Sequence, residues 1–273
     1  KAYYAKISNP ISSGLTWETV TTYNVGVDMS FLNNRLNVNA DYYVRKTTDM
    51  LTTSLTLPDV YGASTPKANC ADLRTNGWEL SVSWNDSFKV ANKPFRYGIQ
   101  ATLGDYQRTI TKYNNPDKLI SDHYVGKKMG EIWGYQADDL FMSNREVDEY
   151  LKKVDLSFFK SSDRWQRGDV KYIDSDGNGK VDPGKGTLAD HGDLKKIGNA
   201  TPKYSFGINL NAGYKGFEVS ALFQGVAKRQ FAMAGAQYLY GANCYFKEHL
   251  DYFSAQNPGG YLPRLVDSST KDY

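Results

Sequence analysis

The sequence predicts an all-β chain: a run of antiparallel strands of the kind that forms part of a transmembrane β-barrel, with one short helix in a long connection. Three observations predict it. Apolar and polar residues alternate along six segments, and period-two alternation marks a strand because successive side chains point to opposite sides. These segments run to roughly ten residues, the length that crosses a bilayer at barrel tilt. Short and long connections alternate between them, as periplasmic turns and outer loops do in bacterial barrels.

The first strand pair is "TVTTYNVGVDMS" and "LNVNADYYVRK". In the first segment Tyr23, Val25, Val27 and Met29 oppose Thr22, Asn24, Gly26 and Asp28. In the second, Leu36, Val38, Ala40, Tyr42 and Val44 oppose Asn37, Asn39, Asp41, Tyr43 and Arg45, with "FLNNR" as the hairpin turn between. After a long connection, about 49 to 74, "GWELSVSWN" places Trp78, Leu80, Val82 and Trp84 on one face. The connection "NDSFKVANKPF" leads to "RYGIQATLGDY", with Tyr97, Ile99, Ala101 and Leu103 on one face. A second long connection, 113 to 202, precedes "YSFGINLNAGY" and "GFEVSALFQG", joined by the tight "YKGF", and Leu222 is the one lapse in alternation. A further long stretch begins at 228. Within 113–202, "SNREVDEYLKK" reads as a helix. Ser143 or Asn144 can cap it, Glu146 sits in its first turn, and Lys152 and Lys153 in its last.

A soluble β-sandwich also alternates. The polar faces here are almost wholly Asn, Ser, Thr, Gly and Gln, which suits a wet lumen. Aromatics sit near strand ends, at Tyr42, Tyr43, Trp78, Trp84, Tyr204 and Tyr214, as interface girdles require. These features favour the barrel.

Composition bounds the rest. The chain has 273 residues and a net charge of +3, which gives no electrostatic case for a nucleic-acid partner. Tyr is abundant at 21 residues, and aromatics reach 14%, a mix that suits strands. The two cysteines, Cys70 and Cys244, are too few for a disulfide framework; they read as unpaired, with a single pairing left open. No window approaches 18 continuous apolar residues, so no membrane helix is predicted. The opening "KAYYAKISNP" lacks an initiator Met and an apolar signal region, so the chain reads as a piece of something longer or a mature protein without its front. The three histidines, His123, His191 and His249, have no nucleophile or metal-triad spacing, and Asp138 and Asp139 have no partnered acid motif. No catalytic constellation is present, and an enzyme is not expected.

One motif carries chemistry. "DSDGNGKVD", residues 174 to 182, follows the pattern of an EF-hand-type loop, which needs oxygen ligands at positions 1, 3, 5, 7, 9 and 12 and Gly at 6. Asp174, Asp176, Asn178, the Lys180 carbonyl and Asp182 fill positions 1 to 9, and Gly179 is the sixth. Position 12 falls on Lys185, which cannot ligate a cation; Asp190 and Asp193 are the nearest substitutes. The flanks are not helices: "GDVKYI" reads as a strand and Pro183 with Gly184 as a turn. A calcium sensor is therefore not expected. A structural Ca²⁺ site and a metal-free Asx-rich turn both remain open.

The stretches "LTWETVTTYNVGVDMSFLNNRLNVNADYYVRKTTDML", "LPDVYGAS", "NGWELSVSW", "VGKKMGEIWGYQADDLF", "GDVKYIDSDGNGKVD", "IGNATPKYSFGINLNAGYKGFEVSALFQG" and "YLPRL" occur in this order over nearly the whole chain. In them the chain resembles the SusC/RagA-like TonB-dependent transporters of Bacteroidetes outer membranes. The resemblance implies a plugged barrel of 22 strands, of which residues 1–273 are part of the C-terminal half, without the plug, the TonB-contacting segment or the last strands. About six strands alone would leave two unpaired edges in lipid, so a fragment is expected. The family's loop continues from Asp-x-Asn-Asp through a few residues to Ile-Gly. Here "DLKKIG" keeps that ending, so Asp193 matches the twelfth-position acid, with Lys185 to Gly192 inserted before it.

The resemblance further implies active import of an oligosaccharide or peptide at the cell outer membrane, a SusD-like surface lipoprotein as lid, and TonB as energy source. Substrate contacts are expected from the long loops, where Tyr61, Trp133, Tyr135, Tyr238 and Tyr240 are candidates to stack on sugar rings or peptide side chains. The plainer alternative is that each packs the loops together or meets the lid. The polar wall, including Asn39, Asn209 and Asn211, can equally face a plug. A soluble, calcium-stabilised β-domain binding glycans at the cell surface is the competing assignment.

Overall fold

The computed structural model of the chain describes residues 12, 14–53, 65–159, 164–231 and 247–265. Its elements in order are β1 (Thr19–Phe31), β2 (Leu36–Thr53), β3 (Lys67–Val90), β4 (Lys93–Lys112), β5 (Glu131–Gly134), β6 (Ala137–Leu140), α1 (Asn144–Leu151), β7 (Val170–Tyr172), β8 (Lys195–Asn199), β9 (Lys203–Tyr214) and β10 (Phe217–Lys228). No helix among the described residues is long and apolar enough to cross a membrane. The chain divides into two units. The first holds the long strands and residues 122–130; the second holds 117–121, 131–200 and the chain from 231.

The first unit is a six-stranded antiparallel sheet in the order β1, β2, β3, β4, β9, β10. It is open, with β1 and β10 each paired on one side among the described residues. Its register turns the alternation of single strands into rows. Met29, Val38, Val82, Ala101, Ile208 and Phe223 are consecutive cross-strand partners. So are Phe31, Leu36, Trp84, Ile99, Leu210 and Ala221 one row away. Cross-strand partners share a face, so one surface is apolar from edge to edge, and it is exposed at Val25, Val27, Ile99, Ile208, Leu210, Val219 and Phe223. An exposed apolar surface of this extent marks a membrane or protein contact.

The opposite face is polar and satisfied across strands. Ser30 donates to Asn37 at 2.7 Å, Asn24 to Asp41 at 3.2 Å and Gln100 to Ser81 at 3.3 Å, and Asn39 donates to Asp28. Glycine has a steric role on this face: a side chain at Gly77 would run into the Tyr43 ring. Leu222, the lapse in alternation, pairs with Asn209 on the polar face and is 68% exposed.

The strands are longer than the ten residues their alternation suggests, at 12 to 24 residues. "NDSFKVANKPF" is not a longer connection. Polar Asn85 to Ser87 resemble a loop, yet Phe88 and Phe95 resume the outward face, and β3 and β4 run on to a two-residue turn at Ala91 and Asn92, with φ of 45° and 61°. Lys215 and Gly216 repeat this between β9 and β10, with φ of 51° and 86°. Two positive φ values are what a tight hairpin on twisted strands requires. The connection expected at 49 to 74 likewise shortens, because β2 reaches Thr53 and β3 starts at Lys67. A bulge lies at that end, where Asp49 has φ 57° and donates its N–H to Asp72 at 2.9 Å.

Aromatics band the apolar face twice. Phe88, Phe95, Tyr214 and Phe217 form one row near the tight turns, with Phe88 and Phe95 centroids 5.1 Å apart and Tyr214 donating to the Val90 carbonyl at 3.0 Å. Tyr42 and Trp78 are partners toward the other end. From Phe88 to Trp78, at about 3.4 Å per residue and a tilt near 40°, is roughly 26 Å. A barrel's apolar band is about 25 Å tall.

The second unit has its own small core of Val154, Leu156, Phe159, Tyr172 and Val181, against which Tyr135, Tyr150, Leu151, Trp165 and Val170 pack. Phe159 stacks on Tyr172 at 4.3 Å. β5 pairs with β8, and β6 with β7. A buried ion pair ties in the "YLPRL" segment: Arg264 Nε donates to Asp169 Oδ1 at 2.7 Å, with Asp169 fully buried.

Ser143 caps α1, its hydroxyl accepting from the Glu146 N–H at 3.2 Å, while Glu146 accepts from the Met142 N–H at 2.9 Å. Lys152 and Lys153 do not sit in the last turn. The helix closes at Leu151 because the chain turns to bury Val154 and Leu156. Replacing Ser143 by Ala is expected to cost about 1 kcal/mol, measurable as faster amide exchange across residues 143–151.

Candidate metal centre and the loops around it

The loop after β7 is organised by Asx turns. Asp174 accepts from the Gly177 and Gly179 N–H groups, both at 2.8 Å. Asp176 accepts from the Asn178 N–H at 3.0 Å, and Asn178 from the Lys180 N–H at 2.8 Å. The loop is fastened to the core through the segment after α1. The Asp155 backbone N–H donates to the Gly179 carbonyl at 2.8 Å, and the Val181 N–H donates back to the Asp155 carbonyl at 2.9 Å, leaving Val181 fully buried.

Lys185, at the twelfth position, lies beside Asp190 at 3.9 Å. Asp193 enters the loop instead. Its carboxylate is fully buried and accepts from the Ser175 N–H at 2.5 Å, the Asp176 N–H at 3.4 Å and the Asp182 N–H at 2.9 Å. The Asp193 N–H in turn donates to the Asp182 carbonyl at 2.9 Å. Residues 183 to 192 therefore form an excursion closed at its neck by Asp182 and Asp193. Its outer part pairs with the strip 117–121: Ile120 donates to the Gly186 carbonyl and Leu188 to the Lys118 carbonyl, both at 2.9 Å.

Asp174, Asp176 and Asp193 each present a carboxylate oxygen, all within 4.8 Å of one another. Asp182 is not in that group: its carboxylate turns to the Gly184 N–H at 2.7 Å and the Lys180 ammonium at 3.0 Å. These two partners, the N–H first, hold its carboxyl below the usual range. Asp155 is held down likewise by the N–H and hydroxyl of Ser157. An all-oxygen set of three carboxylates, with an amide and carbonyls nearby, suits a hard divalent cation such as Ca²⁺ rather than a soft one. The three converging carboxylates have the spacing such an ion would need, and Asp174, Asp176 and Asp193 are the residues that would supply its anionic ligands.

The aromatic candidates have structural partners. Tyr135 is half-buried, edge-on to Phe159 at 5.1 Å and Tyr172 at 5.9 Å. Burial, then the Asp182 and Asp193 carboxylates, push its hydroxyl up to about 12. Trp133 has the Lys196 ammonium 5.3 Å over its ring and the His191 ring 5.4 Å away. Lys196 also pairs with Glu131 at 3.2 Å. Both rings pack their own unit in this structure. Tyr61, Tyr238 and Tyr240 lie outside the described residues, as does Cys244, and with it the pairing with Cys70. Of the acidic neighbours, Asp138 pairs with Lys171 at 2.8 Å, and Lys171 also meets Glu146 at 3.1 Å. No spacing rule in the sequence points to the His191 and Trp133 contact, which the excursion creates.

The model of the family "TonB dependent receptor-like, beta-barrel" matches residues 3–263. The chain belongs to that family. Among curated relatives, the TonB-dependent receptor P3 of Formosa agariphila is 26% identical over 78% of this chain and 21% of its own length. P26 of the same organism is 23% identical over 96% of the chain and 26% of its own length. SusC of Bacteroides thetaiotaomicron is 28% identical over 66% of the chain and 17% of its own length. The chain thus spans about a quarter or less of these relatives. Among solved structures, the RagAB peptide transporter aligns with TM-score 0.57 at 20% identity, over 92% of this chain and 26% of that one. The open-open state of the RagAB peptide importer aligns with TM-score 0.61 at 18% identity, over 95% and 26%. The fold is therefore all-β, part of a transmembrane antiparallel barrel. In this TonB-dependent receptor-like chain the apolar rows are the lipid face and the polar rows the lumen face.

Proposed function

We propose that the protein containing this chain imports an oligosaccharide or peptide across the outer membrane. TonB supplies the energy, and a SusD-like surface lipoprotein covers the barrel. Family membership over residues 3–263, together with an apolar face of bilayer height, carries this proposal. Chemistry is not required of it: TonB-dependent receptors are transporters, and the side chains here serve walls and loops. The remaining strands and the plug come, in this proposal, from the rest of the longer protein, and the long connections face outward. The test is uptake of labelled oligosaccharide and labelled oligopeptide by cells with and without the full-length protein. One of the two should depend on the protein and stop when the proton gradient is collapsed. Full-length protein that stays soluble without detergent would instead support a calcium-stabilised, glycan-binding β-domain.

Within this protein Asp174, Asp176 and Asp193, with Asn178 and the Lys180 carbonyl of the same loop, are proposed to hold a structural Ca²⁺, while the Asp182 carboxylate, turned to the Gly184 N–H and the Lys180 ammonium, is not among its ligands. When bound, the ion would neutralise three gathered carboxylates and so fix the neck of the excursion. With free Ca²⁺ at a hundred times the dissociation constant, the gain is about 2.7 kcal/mol. Protease cleavage within 174–193 of the full-length protein should accelerate on chelation and recover with Ca²⁺ but not with Na⁺. Unchanged cleavage would reduce the motif to a turn.

A further inference from the structure

The outward face carries a feature that lipid burial does not explain. Beyond the Tyr42 and Trp78 pair, toward the long connections, the register sets Lys46 directly opposite Arg74. The row continues on one side to Thr21 and on the other to Thr109, which bridges to Lys128. Opposed residues share a face, so Lys46, Arg74 and Lys128 point the same way as Trp78, Leu80 and Val82. Like charges directly opposite destabilise a strand pair. Lys46 and Arg74 are both exposed, and neither is in an ion pair among the described residues. Lys46 lies 5.9 Å over the Tyr23 ring, and Arg74 Nε donates to the Asn76 side chain at 3.0 Å.

Among the described residues, the acids near this end of the sheet have other partners, Glu18 accepting the Leu51 N–H at 3.1 Å. Asp72 accepts the Asp49 N–H, Asp49 lies 4.0 Å from Lys112, and Asp105 pairs with Lys203 at 3.2 Å. The height is also set. Arg74 is four residues beyond Trp78 on β3, about 10 Å further along the barrel axis at the usual rise and tilt. That is the polar edge of a bilayer whose total thickness is about 40–45 Å.

We propose that Lys46 and Arg74, with Lys128 beside them, bind the phosphate of an anionic lipid headgroup in the outer leaflet. A phosphate between two opposed cations turns their repulsion into two charge-assisted hydrogen bonds. The aliphatic stem of Lys46 and the Tyr23 ring lie against the upper acyl region. The site rests on the barrel orientation proposed above, with the long connections outside.

The experiment uses full-length transporter in neutral detergent, with native mass spectrometry reading bound lipid. The probes are phosphatidylglycerol, phosphatidylcholine and inorganic phosphate. Wild type should retain phosphatidylglycerol in preference to phosphatidylcholine. The double variant Lys46→Gln with Arg74→Gln should bind it roughly thirtyfold more weakly. Lys46→Arg with Arg74→Lys should restore binding, and Lys215→Gln, in a hairpin at the other end, should leave it unchanged. Equal affinity for both lipids, or an unaffected double variant, overturns the proposal. So does displacement of the lipid by millimolar inorganic phosphate, which would mark a free-anion site. If the double variant does not fold, salt titration of wild type decides: phosphatidylglycerol must be released as ionic strength rises and phosphatidylcholine must not. Uptake measured in the same variants separates the two proposals, since transport can persist when lipid binding is lost.

Discussion

Arginine at Val82 is expected to destabilise the barrel by about 2–4 kcal/mol, the cost of a cationic side chain at the bilayer midplane on a lipid-facing strand position. Val82 lies in the row of Met29, Val38, Ala101, Ile208 and Phe223, between the two aromatic bands. Arginine at Ser81, one residue away, points to the polar face beside Gln100 and is expected to change stability by about 0.5 kcal/mol or less. Urea titration of the full-length protein folding into lipid vesicles measures both. Equal costs at 81 and 82 would refute the assignment of lipid and lumen faces.

Replacing Asp193 by Ala is expected to loosen the whole loop from Asp174 to Asp193. The carboxylate is fully buried and holds the N–H groups of Ser175, Asp176 and Asp182. A fully buried N–H left bare costs about 1–3 kcal/mol; these three are only partly shielded, one of them on the exposed Asp176, so the total loss is about 1–3 kcal/mol even without a metal. Asn keeps one acceptor oxygen and should fall between Ala and wild type. Asp190→Ala removes only the exposed contact with Lys185 and should be close to neutral. Hydrogen exchange across 174–193 reads all three. Any Ca²⁺-dependent protection should disappear in both Asp193 variants. Unaltered exchange in Asp193→Ala would mean that Asp182 and Val181 anchor the loop unaided.

The alternation of Leu36, Val38, Ala40 and Tyr42 was readable residue by residue because a strand's faces repeat every second position, a local property of the backbone. The ends of the strands were not. Asn85 to Ser87 look like loop composition, but their hydrogen bonds are made with β4, a partner that no local window contains. The turn at Ala91 and Asn92 was hidden for the same reason, since alanine carries no turn signal. Its positive φ is imposed by the paired strands on either side. The lysines after α1 were misplaced because helix length there is set by burial of Val154 and Leu156, not by dipole preference.

The loop shows the same division. Asp174, Asp176, Asn178 and Gly179 were legible because a short loop needs its ligands at fixed local spacing. Asp193 could be matched only through the family's pattern, and its delivery depends on the neck between Asp182 and Asp193 and on the pairing of Gly186 and Leu188 with 117–121. Trp133 and Tyr135 looked available for stacking because sequence shows an aromatic ring but not what covers it. Here Lys196, His191, Phe159 and Tyr172 do.

Strand periodicity, the apolar and polar sides of each strand, the oxygen-rich loop and the family resemblance carried by the order of its motifs were thus all legible in local residue patterns. Tertiary structure alone decided the register that aligns six strands into rows, the convergence of Asp193 with Asp174 and Asp176, and the opposition of Lys46 and Arg74. The physical reason is that period-two patterns and Asx turns arise from neighbouring residues. Register and convergence instead arise from hydrogen bonds and contacts between segments tens of residues apart, where a shift of one residue would exchange every lipid-facing side chain for a lumenal one.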